Sequence, residues 1–477
     1  MKKTRILSLS LTMLMMLASC GEAAVSSGDA SAASDTTPAE TTADPLADNL
    51  PDKNWGGADF NLLVRTERLY YLDAEEETGD TLNDAVYARN NAVEERFGIN
   101  LCFTDITSDK SLFMNAVQSS VMADDKGYDI ICPDYWWFSG TEGYMLDLYT
   151  LDYLDFDKSW WNQSWNKNAE INDKLYSCVG YLCLDLLRNT EVVYFNKGMI
   201  EDFKLENPYD LVADNKWTLD KALQMGEAVA GDVDGNNVLD ENDRYGIYSN
   251  VHAQRGIYYS GGFELVRNTD DGFEIITPTE RIADLNTLIY NMFNGNDSVL
   301  YALDSTVDFT TTAAYKPFNQ NNLLFTFFAL TAVEAMRASD VNFGIVPVPK
   351  YDQEQEWISY NYGCTLSCIP INTPDAERSA IILEALNAES ARKVVPEYYN
   401  RVLQGKLARD DESLEMLDMV FDKLSFTFDF LNAGQLGDIP DKFIRATSEN
   451  VTTLFDSNKS ALEGHLDKLV EAYEAME

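Results

Sequence analysis

The stretch FNLLV at residues 60–64, followed by LNDAVYARNNAVEERFG at residues 82–98 and INLCF at residues 99–103, decides the fold. The first and third segments are short apolar runs suited to buried strands. The middle segment repeats apolar residues at the spacing of one helix face, and Gly98 stands where a helix ends. Strand, helix and strand in this order predict two parallel strands joined by a helical crossover.

Two further segments extend this pattern. LFMNAVQSSVM at residues 112–122 predicts a second helix, and YDIIC at residues 128–132 predicts a third strand. The alternation is typical of an α/β protein with a parallel sheet. Thr81 is expected to cap the first helix. Because ligands of open parallel sheets bind beyond the carboxyl ends of the strands, the residues after Cys132 are candidates for ligand contact.

Aromatic residues dominate the segment after the third strand, which reads PDYWWF from Pro133 to Phe138. Flat aromatic faces suit the C–H faces of a sugar ring, and a nearby carboxylate accepts hydrogen bonds from hydroxyl groups. We therefore take Asp134, Trp136 and Trp137 as candidate ligand contacts. The alternative is that some of these rings pack in the core or at a hinge.

Other segments predict further elements. The aromatic pair Trp160 and Trp161 is expected to pack rather than to bind ligand. Residues 192–196 predict a buried strand, and residues 219–230 predict a helix capped by Thr218.

The N-terminus carries the pattern of an exported lipoprotein. A basic head over residues 2–5 precedes an apolar run too short to span a bilayer, and LASC at residues 17–20 resembles a bacterial lipobox. We expect residues 1–19 to be a signal peptide and Cys20 to be lipidated. Cleavage removes three positive charges, so the net charge changes from −43 to −46. The alternative is an ordinary secretory signal with an incidental cysteine.

Composition bounds the rest of the chain. Residues 20–55 are rich in Ser, Thr, Ala, Asp and Gly, which predicts a disordered tether. The roughly 420 residues beyond it exceed what one compact core usually contains and predict two lobes. The net charge of −43 repels nucleic acid and anionic lipid, so neither is expected as a partner.

Cysteine and histidine content limits the chemistry. Six cysteines besides Cys20 would allow disulfides outside the cell, but several lie in apolar runs where a thiol behaves as a small hydrophobe. We expect mostly buried thiols. Only two histidines occur, far apart in the sequence, which argues against a His-rich zinc site and against a Ser-His or Cys-His catalytic pair.

One segment has the spacing of a calcium loop. The sequence DVDGNNVLDEND over residues 232–243 places oxygen donors where a twelve-residue calcium loop needs them. The expected ligands are the side chains of Asp232, Asp234, Asn236, Asp240 and Asp243 and the backbone carbonyl of Val238. We expect a structural Ca²⁺ ion here.

Two departures separate this loop from the usual pattern. Asn237 replaces the usual glycine, although asparagine tolerates the left-handed conformation. Asp243 replaces the longer, bidentate glutamate. Residues 245–248 read as a strand rather than as the exit helix of an EF-hand. The alternative is therefore a solvated acidic turn.

Eight stretches distributed over the chain carry a family resemblance through their order and spacing. They are Asn83 to Gly98, Tyr128 to Asp134, Leu146 to Trp161, Val193 to Lys197, Asn207 to Val212, Lys216 to Asp220, Phe343 to Tyr351 and Tyr398 to Glu415. The chain resembles the extracellular solute-binding proteins of family 1, the carbohydrate-uptake group that includes maltose-binding protein. Within it, the chain is most similar to the large lipoproteins of anaerobic Gram-positive bacteria.

The resemblance implies an α/β fold of the type II periplasmic-binding-protein kind, with two lobes joined by a hinge. Lobe 1 is expected over residues 56–160 and 305–355, and lobe 2 over residues 161–304 and 356–477. Ligand is expected between the lobes, which close on it. Two helices are expected in the C-terminal part, one beginning at Thr373-Pro374 and one over residues 412–424.

The resemblance also implies a function. The chain would be a non-enzymatic, lipid-anchored receptor on the outer face of the cell membrane that delivers a small ligand, a sugar above all, to an ABC importer. The permease subunits would be separate polypeptides, and the receptor would be a monomer. By position, the candidate ligand contacts are Arg188, Asn189, Tyr258 and Tyr362. Tyr259 and Tyr360 are further candidates. Each has an alternative role in packing.

Other functions stay open at this point. The same fold serves receptors for peptides and other small solutes. A secreted glycoside hydrolase also combines aromatic residues, carboxylates and calcium, but it needs two carboxyl groups at a defined separation. An adhesin would present an open aromatic surface to insoluble polysaccharide instead of enclosing a small ligand.

Overall fold

A computed structural model describes residues 44–137, 143–269, 272–303, 306–403, 410–445 and 450–475. The expected signal peptide, the lipidation site Cys20 and the tether up to residue 43 lie outside these ranges. Within them, no helix is both long enough and apolar enough to cross a membrane.

Strands in three sheets form the framework. They are β1 (Ala58–Arg65), β2 (Ile99–Ile106), β3 (Ile130–Ile131), β4 (Glu191–Asn196), β5 (Tyr245–Asn250), β6 (Val266–Thr269), β7 (Gly272–Ile275), β8 (Val299–Ala302), β9 (Leu323–Ala329) and β10 (Phe343–Val346). Helices cover these sheets. The longer ones are α2 (Thr81–Phe97), α3 (Lys110–Ala123), α8 (Leu219–Val229), α9 (Val251–Ser260), α10 (Glu280–Phe293), α13 (Ala376–Glu389), α14 (Val395–Leu403), α15 (Asp411–Asp422) and α18 (Val451–Glu474). The shorter ones are α1 (Leu69–Leu72), α4 (Gln163–Ala169), α5 (Asp185–Arg188), α6 (Lys197–Asp202), α7 (Pro208–Ala213), α11 (Tyr315–Asn319), α12 (Val333–Arg337), α16 (Phe428–Leu431) and α17 (Ile439–Ile444).

The first sheet has the order β2-β1-β3, and both strand pairs are parallel. Helices α2 and α3 provide the crossovers, as the sequence predicts. Gly98 ends α2 with φ 57° and ψ 54°, the left-handed conformation that favours glycine. The predicted cap is wrong by one residue, because the Asp80 carboxylate and not Thr81 accepts hydrogen bonds from the first turn of α2.

The second sheet has the order β10-β4-β9-β5-β8. Strands β5, β8 and β9 are parallel, whereas β4 pairs antiparallel with both β9 and β10. The predicted strand over residues 192–196 is confirmed as part of β4, and Thr218 caps α8 as predicted. Strands β6 and β7 form a separate hairpin.

The pairing of β9 and β10 differs from the expected lobe boundaries. The sequence places residues 305–355 with the first sheet, but both strands hydrogen-bond into the second. Every residue of both strands is buried. Because such uniformly apolar strands suit either sheet, only long-range pairing with β4 decides their place.

The segment after β10 also differs from its expected lobe. Cys368 bridges to Ile131 and Thr365 bridges to Asp134, so residues 365–368 lie beside β3 in the first sheet. Helix α13 packs on α2. It starts at Ala376 with Asp375 as its cap, so the start predicted at Thr373-Pro374 is wrong.

Two chain segments, residues 188–191 and 360–363, run side by side and are called here the crossing segments. The N–H of Glu191 donates to the carbonyl of Tyr360 at 2.9 Å, and the N–H of Tyr362 donates to the carbonyl of Asn189 at 3.2 Å. The first segment enters β4 of the second sheet, and the second leads to residues 365–368 beside the first sheet. These are the connections expected of a hinge.

Residues 45–55 pack on the folded chain, although the sequence predicts a tether up to residue 55. The Asp48 carboxylate accepts hydrogen bonds from the Arg96 guanidinium at 2.6 and 3.1 Å. The N–H of Trp55 donates to the carbonyl of Phe97 at 2.9 Å. A polar composition does not reveal such a specific ion pair.

Trp160 and Trp161 pack as predicted. Both indole N–H groups donate to the carboxyl group of Glu384 on α13, at 3.1 and 3.0 Å. Burial raises the pKa of Glu384 to about 8, although these hydrogen bonds act in the opposite direction. The pair therefore joins the segment before α4 to α13.

The six cysteines that the structure describes are free thiols. Cys102 is half-buried, and the remaining five described cysteines are buried, in agreement with the expectation of cysteines that pack as small hydrophobes. Burial raises the pKa of Cys132 to about 12, so this thiol stays protonated and unreactive at neutral pH.

Candidate ligand-binding site

A cavity of about 300 Å³ lies where β3 ends, beside the crossing segments and the first turns of α9. Its walls include five residues that the sequence analysis selected. They are Asp134, Trp136, Trp137, Asn189 and Tyr362. The position beyond the carboxyl end of a parallel strand is the one expected for a ligand site in an α/β sheet.

A second compartment of about 410 Å³ adjoins the first, because Arg68, Asn189 and Tyr362 line both. Arg188, which the sequence analysis also selected, lies in its wall. We call the two compartments together the cleft. Their volumes fall in the range of small-molecule binding sites.

Two residues of the cleft wall, Asp134 and Arg68, belong to a network of alternating charges. Arg65 contacts Asp134 at 2.5 Å and Asp185 at 3.5 Å, and Arg68 contacts Asp185 at 3.1 Å. Thr365 donates to Asp185 at 2.6 Å. Burial raises the pKa of Asp134, while the Arg65 guanidinium acts against that rise. Because each charge has a partner behind it, the network holds polar groups at fixed positions without a large net charge.

The aromatic rings that line the cleft include those of Tyr70, Trp136 and Trp137. Trp136 is 38% exposed and Tyr70 is 54% exposed, which leaves ring surface available to a ligand. Trp137 is half-buried between Phe113, at 5.8 Å between ring centroids, and the Arg65 guanidinium, 5.6 Å from its ring. Of the two predicted tryptophans, Trp136 is therefore the one available for stacking, and Trp137 mainly packs.

The crossing segments bring a hydrogen-bonded pair to the cleft. The Tyr362 hydroxyl donates to Oδ1 of Asn189 at 2.8 Å, and Nδ2 of Asn189 donates to the carbonyl of Gly363 at 2.6 Å. The imidazole of His252 lies against the ring of Tyr362, with 4.7 Å between centroids. Burial raises the pKa of Tyr362, so the phenol stays neutral.

Arg188 faces the second compartment. Its guanidinium donates to the hydroxyl of Tyr70, lies 5.1 Å from the ring of Tyr71 and stands 3.9 Å from the Glu334 carboxylate. The contact with Glu334 is at the outer limit of an ion pair, so Arg188 keeps donor capacity toward the cleft.

Tyr258 is not in the cleft. Its side chain is 2% exposed, and its hydroxyl donates to Oδ1 of Asn286 at 2.8 Å in the core between α9 and α10. Tyr259 and Tyr360, the other tyrosines selected from the sequence, are also buried and line a separate cavity. The prediction for Tyr258 failed because adjacent helix residues point about 100° apart, and an apolar helix does not reveal which face is covered.

The residues of the cleft wall that sequence reasoning missed include Arg68, Tyr70, His252 and Arg255. His252 and Arg255 are the two residues of α9 that are not fully buried. Their spacing of three places them on one helix face, which is the signal that could have found them. Arg255 is held by Asp441 through two hydrogen bonds of 2.9 and 2.6 Å.

The acidic loop lines neither compartment of the cleft and is built differently. One carboxylate oxygen from each of Asp232, Asp234 and Asp243 lies within 4.8 Å of the others. The loop is wrapped by backbone N–H groups that donate to these carboxylates. Gly235 and Asn237 donate to Asp232, Asn236 donates to Asp234, and Val233 and Asp240 donate to Asp243.

Two features of the loop match the sequence analysis. Asn237 has φ 63°, the left-handed conformation that asparagine was expected to tolerate. The chain continues into β5 and not into a helix.

Hydrogen bonds from the N–H groups of Asp240 and Val233 lower the pKa of Asp243, so its carboxylate is ionised at neutral pH. Val238 is exposed, and Asp240 accepts hydrogen bonds from Asn242.

Comparison with known proteins identifies the fold. No family model and no curated protein matches the sequence. Among solved structures, the chain is similar to an ABC substrate-binding protein from Listeria monocytogenes in complex with cycloalternan. The two are 12% identical with a TM-score of 0.53, over 88% of this chain and 99% of that chain.

Two more solved structures have the same fold as this chain. An ABC transporter solute-binding protein from Thermotoga lettingae bound with α-D-tagatose is 15% identical, with a TM-score of 0.54 over 87% of this chain and 100% of that chain. The galacto-N-biose-/lacto-N-biose I-binding protein from Bifidobacterium longum, in complex with lacto-N-biose, is 12% identical. Its TM-score is 0.54 over 87% of this chain and 99% of that chain. The expected α/β, two-lobed solute-binding-protein fold is confirmed.

Proposed function

We propose that this chain is a lipid-anchored extracellular receptor that captures a small carbohydrate and delivers it to an ABC importer. It is a binding protein and not an enzyme, so it releases its ligand chemically unchanged. The observation that carries the proposal is the cleft, whose wall combines the exposed rings of Trp136 and Tyr70 with the ion-paired side chains of Asp134 and Arg68.

This arrangement suits a sugar for two reasons. Exposed aromatic faces stack on the apolar faces of a pyranose, whose hydroxyl groups need donors and acceptors at fixed positions around the ring. Asn189, Asp134 and Arg188 supply both kinds of group, and each is fixed by a neighbour. The three solved structures compared above are complexes with cycloalternan, α-D-tagatose and lacto-N-biose, which supports the same ligand class here.

Closure of the lobes would enclose the ligand. The crossing segments meet at Asn189 and Tyr362, both in the cleft wall, so a bound ligand contacts the connections about which the lobes would move. The partner permease would be a separate polypeptide, and the receptor would act as a monomer.

The direct test is a thermal-shift screen of the full chain against mono- and oligosaccharides. A ligand at a hundredfold excess over its Kd stabilises the folded state by about 2.7 kcal/mol, which raises the melting temperature by a few degrees. X-ray scattering with the same sugar should show a smaller radius of gyration. A panel of sugars without any shift, beside a shift with peptides, would overturn the carbohydrate assignment.

Anchoring through Cys20 is part of the proposal and rests on LASC at residues 17–20. One lipid chain binds a membrane only marginally, so stable attachment requires more than one acyl chain. Growth with an alkyne fatty acid should label the wild-type protein and not the Cys20→Ser variant. Equal labelling of both would show that the chain is not a lipoprotein of this type.

We also propose that residues 232–243 bind a structural Ca²⁺ ion. The donor set consists of hard oxygen atoms, which calcium prefers, and three of its carboxylates already converge. The ligands would be the side chains of Asp232, Asp234, Asn236, Asp240 and Asp243 and the carbonyl of Val238. Bound calcium would neutralise the mutual repulsion of these carboxylates and fix the connection between α8 and β5.

A further inference from the structure

A second cavity, of about 380 Å³, lies outside the cleft and shares none of its lining residues. It lies between α4, the C-terminal end of α9 and the segment around α16. Helix α9 contributes to both sites, since His252 and Arg255 line the cleft and Tyr259 lines the second cavity. The proposed receptor function does not use this cavity.

The floor of the second cavity is aromatic. The rings of Tyr259 and Tyr360 stack with 5.4 Å between centroids and 10° between planes. Phe430 meets both rings edge-on, at 5.6 and 5.4 Å. These three side chains therefore form a rigid apolar surface at the bottom of a concave site.

A wall one pair of rings thick separates the two sites. Tyr135 lines the cleft, Phe430 lines the second cavity, and the two rings stack at 4.8 Å with 20° between planes. The Tyr135 hydroxyl donates to the carbonyl of Tyr362 at 3.2 Å, which ties the wall to a crossing segment. Because this ring pair stands between the two cavities, each cavity can hold a ligand of its own.

The rim of the second cavity is polar with unused hydrogen-bonding capacity. Among the residues that the structure describes, Nζ of Lys167 makes no hydrogen bond or ion pair, and Oδ1 of Asn168 and of Asn268 accept none. The amide Nδ2 atoms of both asparagines are used, donating to Ser164 and to Glu170 respectively. The remaining charges, Arg267 and Glu264, neutralise each other.

From these contacts we infer that the second cavity is a separate binding site for a neutral sugar of one pyranose ring. An aromatic floor suits the apolar face of the ring. Hydroxyl groups at its edge can donate to the two amide oxygens and accept from the Lys167 ammonium group. The volume lies within the range of small-molecule sites.

Saturation-transfer NMR on the full chain with the methyl pyranosides of glucose, galactose and mannose tests this inference. The Trp136→Ala variant weakens the cleft, and Asn168→Trp fills the mouth of the second cavity. We expect saturation transfer from at least one glycoside to persist in Trp136→Ala and to fall at least tenfold when Asn168→Trp is added. A second variant, Lys167→Ala, should also weaken binding. Its control is Lys110→Ala, which removes an exposed lysine that lines neither site and should leave binding unchanged.

Each other outcome overturns the inference in a distinguishable way. Transfer that persists in the double variant would place binding elsewhere. Transfer in the wild type that disappears with Trp136→Ala alone would assign all binding to the cleft, and the receptor function would stand. Absence of transfer in the wild type would exclude a monosaccharide site, while the oligosaccharide screen still tests the cleft. If Asn168→Trp fails to fold by circular dichroism, the Lys167→Ala, Asn268→Ala double variant replaces it.

Discussion

The hydroxyl of Tyr362 donates to Oδ1 of Asn189 at 2.8 Å, and this bond joins the two crossing segments inside the cleft. The same two residues also form a backbone hydrogen bond, from the N–H of Tyr362 to the carbonyl of Asn189 at 3.2 Å. A ligand that reaches this pair therefore contacts the cleft wall and the hinge connections at the same place.

Removing that hydroxyl should weaken ligand binding. In Tyr362→Phe, Oδ1 of the buried Asn189 loses its donor, which costs about 1–3 kcal/mol. We expect a loss of sugar affinity of about tenfold, measured by isothermal titration calorimetry with the sugar found in the thermal-shift screen. Tyr258→Phe is the matched control. It also removes a tyrosine hydroxyl that donates to an asparagine Oδ1 at 2.8 Å, but this hydroxyl lies in the core and not in the cleft. It should lower the melting temperature and leave the affinity unchanged. Equal affinity losses in both would contradict the role of Tyr362.

Trp136 should supply the stacking surface. Trp136→Ala removes an exposed ring of the cleft, and we expect a loss of affinity of about ten- to a hundredfold with little change in melting temperature. Tyr153→Ala is the control, since Tyr153 is 37% exposed, nearly as exposed as Trp136 at 38%, and lies outside the cleft. Unchanged affinity in Trp136→Ala would show that the ligand does not stack on this ring.

Glu191 should make the stability depend on pH. It is 2% exposed, its Oε2 has no hydrogen-bond partner within the described residues, and burial raises its pKa to about 8. A raised pKa means that the folded state retains a proton which the unfolded state releases. The resulting stabilisation is complete below about pH 4.5 and is lost as the pH rises to 8.

The Glu191→Gln variant removes this titration. The variant should therefore gain melting temperature relative to wild type between pH 5 and pH 8. The corresponding gain in its free energy of unfolding, relative to that of wild type, is on the order of 3 kcal/mol. Glu412→Gln, at an exposed position on α15, should show the same small difference at both pH values. A Glu191→Gln effect that does not change with pH would mean that Glu191 does not titrate in this range.

The calcium proposal gives a luminescence prediction. The Tyr245 hydroxyl donates to the carbonyl of Asp240 at 3.2 Å, so a tyrosine close to the loop can sensitise bound Tb³⁺. We expect a saturable Tb³⁺ signal that Ca²⁺ displaces and that Asp232→Asn, Asp234→Asn abolishes. The control is Asp152→Asn, Asp157→Asn, two exposed acidic residues elsewhere. A signal that is linear in Tb³⁺, or equal in both variants, would exclude a specific site.

Local sequence predicted the part of the site that follows the first sheet. Residues 60–132 contain their own strand and helix signals, so β1, β2, β3 and the helices between them could be placed without distant contacts. The rule that ligands lie beyond the strand ends then pointed to Asp134 and Trp136, and the structure places both in the cleft.

Residues whose role depends on helix rotation or on distant pairing could not be predicted in the same way. Tyr258 and His252 lie on the same helix, yet one is in the core and the other in the cleft, because only tertiary packing decides which face of α9 is covered. Strand β9 is apolar on both faces, and its place beside β4 depends on hydrogen bonds to residues more than 120 positions away.

The sequence by itself therefore determined the α/β class, the first parallel sheet, the burial of most cysteines and the candidate residues next to strand ends. These features follow from interactions over a few residues: apolar periodicity, helix caps and a left-handed glycine. Only the tertiary structure decided which sheet β9 and β10 join, that Arg68 and Arg255 line the same cavity as Trp136, and that α9 contributes to two separate cavities. These features depend on contacts between distant segments, whose free energies come from burial and pairing that no local pattern records.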